Sequence, residues 1–397
     1  MEELFTKLLG LPSVEVTLAA VDDREITLHC RSILASSHCP LCLEKCNKVK
    51  DRYTRELRDL SISGKKVRLL FTVRQFVCTD CNRHFHERHD FVAKNRTMTQ
   101  RYEDFIYYRC HGVDLRYVCL QEDVCWTSVR DIFQRGAERE IASRSLFSEV
   151  SHIGIDEIAL RKGHKDYVCV LVNLETGAVI DILPDRGKEY LKSYFLGKGE
   201  AFCEAITCFC SDMWEGYLNC AKEVFPNATI VADRFHFFAH MNKELDRCRR
   251  ALRKKHPEDD GLKGLKWALL KPVHRLSAEE SESIEKVLGK EEYRLLKRTW
   301  EARNGFREIL EKHCSKEEAE KLIGQWQDRH TEEPNRFVQR FVDFFQKWKS
   351  YILNYFVHRR TTSPVEGINN KLKVIKRRAY GFLTFQAFRL RAIVEFD

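Results

Sequence analysis

Proline and glycine are scarce, with 8 and 18 among 397 residues, against ordinary shares of about 5% and 7%. There is no low-complexity tract and no internal repeat, which excludes a Pro/Gly-rich disordered chain and a solenoid array. No apolar run approaches the ~20 residues that span a bilayer. No secretory leader is expected either, because the start, MEELFTKLLGLPSV, is acidic at its tip and its apolar part is short. Without export, the 16 cysteines are expected as reduced thiols in a cytoplasm. Clusters among them are then metal ligands rather than disulfides.

The remaining composition is that of a folded protein of two or three domains, with 43% hydrophobic residues. Lys and Arg number 68 against 59 acids, a net charge of +9. That moderate excess suits a polyanionic partner without requiring one. By pattern, residues 1–92 are cysteine-spotted and strand-like, and 93–148 are helical. From 149 to the end, short β-rich runs alternate with helices, interrupted by a strongly helical, charged stretch over about 241–355.

Cys39-Pro-Leu-Cys42 and Cys78-Thr-Asp-Cys81 are two C-x-x-C knuckles. Four thiolates close a tetrahedral zinc site with no open position, so one structural Zn²⁺ is expected in a zinc-ribbon-like finger. The apolar run RLLFTVRQFV feeds the second knuckle. Cys30, Cys46, His84, His86 and His89 are spare candidates, and the three histidines read as surface residues. The next segment breaks into three helices. Gly112 closes the first, Asp114 caps the second, and Trp126-Thr127-Ser128 form a turn leading into the third. This fits a helix-turn-helix with Arg130, Gln134 and Arg135 exposed on the recognition helix.

The stretch SHIGIDEIALRKG holds a buried strand that ends on Asp156 and Glu157. The downstream order is β-β-β-α-β-α-β, with a hairpin turn at Glu175-Thr176-Gly177, a fourth strand ending at Asp212 and a fifth ending at Asp233. That is the order of a ribonuclease-H-like α/β domain, in which the first and fourth strands are neighbours. Asp156 and Asp212 would then project side by side, repelling one another unless a cation sits between them. Hard oxygen ligands favour Mg²⁺. Glu157 falls on the other face by strand alternation. In TTSPVEGINNKLKVIKRRAYGF, Thr362 or Ser363 caps a helix, Pro364 takes its first turn, and Glu366, Asn370 and Lys373 share a face.

The blocks GIDEIAL, SDMWEGY, VADRFHFF and SPVEGINNKLKVIKRRAYGF, with the finger HCPLC…RQFVCTDCNRHFHE, resemble the ISL3 family of insertion-sequence transposases. The resemblance spans nearly the whole chain. It implies Asp156, Asp212 and Glu366 as a DDE triad holding two Mg²⁺ (or Mn²⁺) ions, with a helical insertion before the glutamate. Asp233 is the alternative second acid; otherwise Asp233 and His236, with Asn370, support the site or position DNA. Implied partners are double-stranded DNA, both element terminal inverted repeats and target, and a second copy of the chain, in a bacterial cytoplasm and bound to the nucleoid. Lys371, Lys373, Lys376, Arg377 and Arg378, and the run Arg247–Lys255, would neutralise phosphates. Trp267, Trp300 and Trp326 read as helix core. The rival readings are a catalytically dead DNA-binding regulator and a ribonuclease-H-like nuclease without strand transfer.

Overall fold

The computed structural model describes residues 1–144, 147, 149–159 and 167–396, without the side chains of Ser363, Pro364 and Glu366; counts are of those residues. The chain divides into two compact units, Met1–Glu140 and Ile141–Asp397. No described helix is long and apolar enough to cross a membrane.

The first unit opens with α1 (Glu2–Leu9), β1 (Val14–Val21) and β2 (Glu25–Ser32). A small hairpin follows, β3 (Ser37–His38) and β4 (Lys45–Cys46), then two long strands, β5 (Val49–Ile62) and β6 (Lys65–Val77), and the short β7 (His84–His86). The sheet order is β1-β2-β6-β5, with β7 also paired to β6. Strand β6 alternates as a one-sided strand should: Val67, Leu69, Phe71 and Val73 are buried and meet Ile26, Leu28 and Leu57. The β5–β6 turn is Ser63-Gly64, both at positive φ (51° and 78°), the twist that two-residue hairpins require.

Three helices complete this unit: α2 (Gln100–Arg109), α3 (Leu115–Glu122) and α4 (Trp126–Ser143). Thr99 caps α2 and Asp114 caps α3 through their side chains. Helix α4 begins at Trp126, so Trp126-Thr127-Ser128 are its first turn rather than the turn before it. Gly136 of α4 lies against Tyr107 of α2; a Cβ there would stand 2.3 Å from the ring, so the two helices approach only because the side chain is absent. Asp59 of β5, 1% exposed, accepts from Thr99 Oγ1 at 2.6 Å and pairs with Arg101, anchoring α2 to the sheet.

The second unit is built on β8 (His152–Ala159), β9 (Tyr167–Asn173), β10 (Val179–Leu183), β11 (Cys208–Ser211) and β12 (Thr229–Ala232). The order is β10-β9-β8-β11-β12. The first three strands are antiparallel, and β11 runs parallel to both β8 and β12. Between the strands lie α5 (Lys188–Leu196), α6 (Glu200–Ala205) and α7 (Glu215–Val224). The expected single helical stretch after β10 is thus split, at Gly197–Gly199. Alternate residues of β9 divide between two cores. Cys169 and Leu171 join the α5 and α7 side, while Val168, Val170 and Val172 meet the C-terminal helices α15 (Ser363–Arg378) and α16 (Phe385–Val394). Both faces are covered, so the strands read as near-continuous apolar runs.

The excursion between β12 and α15 comprises α8 (Arg234–Lys255), α9 (Leu265–Leu270), α10 (Ala278–Leu288), α11 (Arg294–Glu311), α12 (Lys316–Thr331), α13 (Arg336–Leu353) and α14 (Tyr355–His358). Ser277 and Glu280 close a reciprocal capping box at α10. Phe306, Trp326, Phe341 and Phe345 pack among α11, α12 and α13. Trp300 is partly buried, but Trp267, expected in the core, is 68% exposed with Lys266 over its ring.

Candidate functional site

Two clusters of chemistry-bearing residues stand out, one in each unit. In the first, the β3–β4 hairpin presents Cys39 and Cys42, and the β6–β7 turn presents Cys78 and Cys81. Their Sγ atoms all lie within 4.8 Å of one another. Cys39–Cys81 and Cys42–Cys78 are each 3.5 Å apart, and Cys42–Cys81 3.8 Å. Four sulfurs at ~2.3 Å from a tetrahedral zinc stand about 3.8 Å from each other, so the set fits the ion. In each knuckle the first sulfur lies where the following backbone N–H groups point. The N–H of Cys81 leads in lowering Cys78 to about 6, and that of Cys42 leads in lowering Cys39. The N–H groups thus favour the thiolate, the form that binds metal, at Cys78 and Cys39. At the second positions, against the pull of the Glu44 N–H, the sulfur of Cys78 pushes Cys42 up to about 12, and burial raises Cys81. Cys46 and Phe76 pack beside the cluster. Cys30 is buried in the sheet core, its thiol pushed up to about 12 by burial. His84 and His86 are exposed, but His89, expected at the surface, has a side chain only 8% exposed and packs edge-on against Phe71.

On α4, Arg130 and Gln134 are exposed, and Gln134 donates to Glu138 one turn on. Arg135, expected exposed with them, is instead half-buried: it pairs with Glu103 at 3.0 Å and Asp131 at 3.3 Å. The apolar face of α4 (Val129, Ile132, Phe133) turns position 135 toward α2, where it joins Arg96 in pairing with Glu103.

In the second unit, the β8–β11 register pairs Ile153 with Phe209 and Gly154 with Cys210. Continued two residues, it sets Asp156 level with Asp212, the residue just past β11. Both carboxyls are pushed above the ordinary range, first by burial. His236 draws both down, while nearby acids push them further up: Asp233 and Glu157 act on Asp156, and Glu157 and then Asp156 act on Asp212. Two half-buried acids, one on β8 and one just past β11, form a centre that favours a cation or a proton.

Helix α15 lies against this centre. Asn369 Nδ2 donates to Asp156 Oδ2 at 2.8 Å, while Asp156 Oδ1 accepts from the Glu157 N–H. Glu366 belongs to the same helix; its side chain lies outside those described. The expected partner Asn370 is exposed and bonded to Lys373. One residue turns a helix by about 100°, which is what separates Asn370 from Asn369. Asn369 stands at i+3 from Glu366 and Asn370 at i+4, both same-face spacings, so spacing alone does not choose between them. Thr362 precedes α15 without a side-chain cap bond; its backbone N–H instead donates to Asp233 Oδ1 at 2.9 Å.

Asp233 is fully buried and caps α8 through the His236 N–H. Both its oxygens are therefore engaged in holding the start of α8 to the start of α15. Glu157 is directed elsewhere, paired with Arg186 at 2.6 Å. Among the basic residues of α15, Lys371, Lys373 and Arg377 are exposed. Lys376 donates to the Ala159 carbonyl and Arg378 pairs with Glu395. In the run Arg247–Lys255, Arg247, Arg249 and Arg250 pair with Glu244 or Asp246, leaving Arg253, Lys254 and Lys255 exposed.

Comparison with known sequences fits both clusters. Residues 35–81, which contain all four cysteines, match a model of the zinc finger of the transposases of IS204, IS1001, IS1096 and IS1165. Residues 153–392, which contain the acidic centre, match a model of transposases. The chain is 26% identical over 384 residues to the transposase for insertion sequence element IS1001 of Bordetella parapertussis, covering 93% of this chain and 91% of that one. It is 23% identical to the transposase for IS1557 of Mycobacterium tuberculosis (strain H37Rv), covering 73% and 70%. A zinc ribbon ahead of a transposase domain makes this an insertion-sequence transposase. Within that class, the chain belongs to the ISL3 family.

Proposed function

We propose that this transposase cuts and joins DNA by DDE chemistry, with Asp156, Asp212 and Glu366 as the three acids of a ribonuclease-H-like domain. The observation that carries the reading is the acidic centre. Two half-buried carboxyls with raised affinity for protons stand level with one another, Asp156 on β8 and Asp212 just past the parallel β11, and the helix bearing Glu366 is bonded to the first of them. The sheet order β10-β9-β8-β11-β12 supports the fold. Asp212 is favoured over Asp233 because the latter's oxygens are spent on two backbone N–H groups.

The donor set fits Mg²⁺ or Mn²⁺: oxygen ligands, negative, mutually repelling and partly withdrawn from water. When bound, such ions supply the positive charge that activates the attacking oxygen and neutralises the leaving one. The chain's own residues do the rest. Asn369 fixes the rotamer of Asp156, His236 adds positive potential, and Lys373 supplies a mobile cation for the phosphate. Water is the first nucleophile and frees a 3′-hydroxyl at the element end. That hydroxyl is the second nucleophile and attacks target DNA, with one phosphodiester broken for each one formed.

Helices α2, α3 and α4 fit a helix-turn-helix in which Arg130 and Gln134 read base edges of the terminal repeats. Two chains, one per element end, would assemble on DNA in the bacterial cytoplasm. The test is cleavage of element-end duplexes with Mg²⁺. Asp156→Asn, Asp212→Asn and Glu366→Gln should each lose cleavage by about three orders of magnitude or more while still binding DNA. Double variants should lose little beyond the single ones, because the three act as a unit. Efficient cutting by Asp212→Asn alongside a dead Asp233→Asn would redraw the triad.

A further inference from the structure

Beside the acidic centre, a cleft of about 400 Å³ runs from Asp156 into the helical excursion. It is lined by the first turn of α8, with Arg234 and Phe235, by α15, with Asn369 and Lys373, and by Arg307 of α11. Two features have no structural explanation. Phe235 is 61% exposed, although its helix neighbour Phe237 is fully buried, so the apolar face of α8 does not use it. Its ring contact is an edge-on one with His236, at 5.9 Å. Asn369 is 8% exposed, and its Oδ1 is buried with no hydrogen-bond partner among the described residues. The amide cannot turn over to relieve this, because its Nδ2 serves Asp156 and an oxygen there would face a carboxylate. A buried acceptor without a donor costs about 1–3 kcal/mol, and such atoms mark places where a ligand completes the set.

We propose that this cleft receives one nucleotide unstacked from the DNA next to the scissile phosphate, with Phe235 as the platform for its base. The volume lies in the range of about 300–1,000 Å³ that small-ligand sites occupy, far too small for a duplex, so only a base taken out of the stack can enter. The exposed ring supplies a face for a base of any identity. Arg234 and Lys373 flank it for the phosphate on either side, and the free Asn369 Oδ1 accepts from an amino or imino group on the base edge. Arg234 is held toward Tyr355 and Arg307 by Glu311, so these walls are in place before DNA arrives. The inference rests on the reading of Asp156 as part of the cleavage centre.

The test uses the full-length protein and element-end duplexes bearing a single mismatch, or 2-aminopurine, at each position around the scissile phosphate. At one position within one or two nucleotides of the cut, a mismatch should speed wild-type cleavage about tenfold, since unpairing is already done. Phe235→Ala should cut matched DNA about tenfold more slowly, and Phe235→Trp should cut near the wild-type rate. In metal-free complexes, 2-aminopurine emission at that same position should rise severalfold when wild type binds, as the base leaves the stack, and rise much less with Phe235→Ala, which lacks the platform. Unchanged emission at every position with both proteins, or Phe235→Ala cutting like wild type, overturns the nucleotide cleft while leaving the transposase reading intact. A wild type that unstacks the base yet cuts no DNA would do the reverse.

Discussion

Asp156 and Asp212 are costly residues for the fold, and the cost has a sign. Burial raises both carboxyls above the ordinary range. A group whose folded pKa is raised contributes stability that is fully present below its unfolded value and is lost as pH rises through the folded one. At neutral pH in the absence of metal, each acid therefore weakens the second unit. Asp156→Asn and Asp212→Asn should melt higher than wild type in chelator at pH 7, with the gap closing as pH falls below the carboxylate range. Added Mg²⁺ should raise the melting point of wild type and leave the variants behind. Variants that melt lower under metal-free conditions would mean the carboxylates are held by partners rather than strained. At this scale the sequence was partly legible: an apolar strand ending in an acid marks a position to be explained. Asn369 was not, because Asn369 and Asn370 are adjacent and only helix rotation tells which one meets Asp156.

At the scale of elements, strand alternation marked β6 and Asp114 marked the start of α3, since those signals are local, while β8 runs two residues past Glu157 and α2 closes at Cys110 rather than Gly112. Arg135 was misread because its partner Glu103 lies on another helix, and no local pattern announces a tertiary ion pair. Glu87, just after β7, is a similar case. It takes a two-pronged pair from Arg74 of β6, at 2.6 and 3.1 Å, and also accepts the Arg74 backbone N–H at 2.8 Å. Burial alone would raise its carboxyl, but the neighbouring His89 and Arg74 outweigh that and bring it down to about 2. A depressed acid gives stability above its unfolded pKa that is lost as pH falls toward the folded value. Glu87→Gln should therefore cost the first unit about 2–3 kcal/mol at pH 7, with the deficit fading between about pH 4.5 and 2. Denaturant titration of both proteins across that range measures it.

For the whole molecule, the two units draw on separate cores, and the four-cysteine cluster sits in the first alone. One zinc per chain is expected by metal analysis, and Cys39→Ser with Cys78→Ser should lose it. Stripping the metal from the intact protein should split its melting into two transitions, an early one for Met1–Glu140 and an unshifted one for Ile141–Asp397, because only the first depends on the ion. A single unshifted transition would mean that the cysteines are not holding the first unit together. The acidic centre is different in kind. The bond between Asn369 and Asp156 joins residues 213 apart in the chain, and Asp233 reaches Thr362 across 129. At the usual synthesis rate of about 5–20 residues per second, the helix that completes the centre is made on the order of ten to forty seconds after the first acid. On the reading proposed above, with a DNA-binding first unit and Glu366 as the third acid, the order of the chain is its own safety catch: nascent protein would find a chromosome before it could cut one.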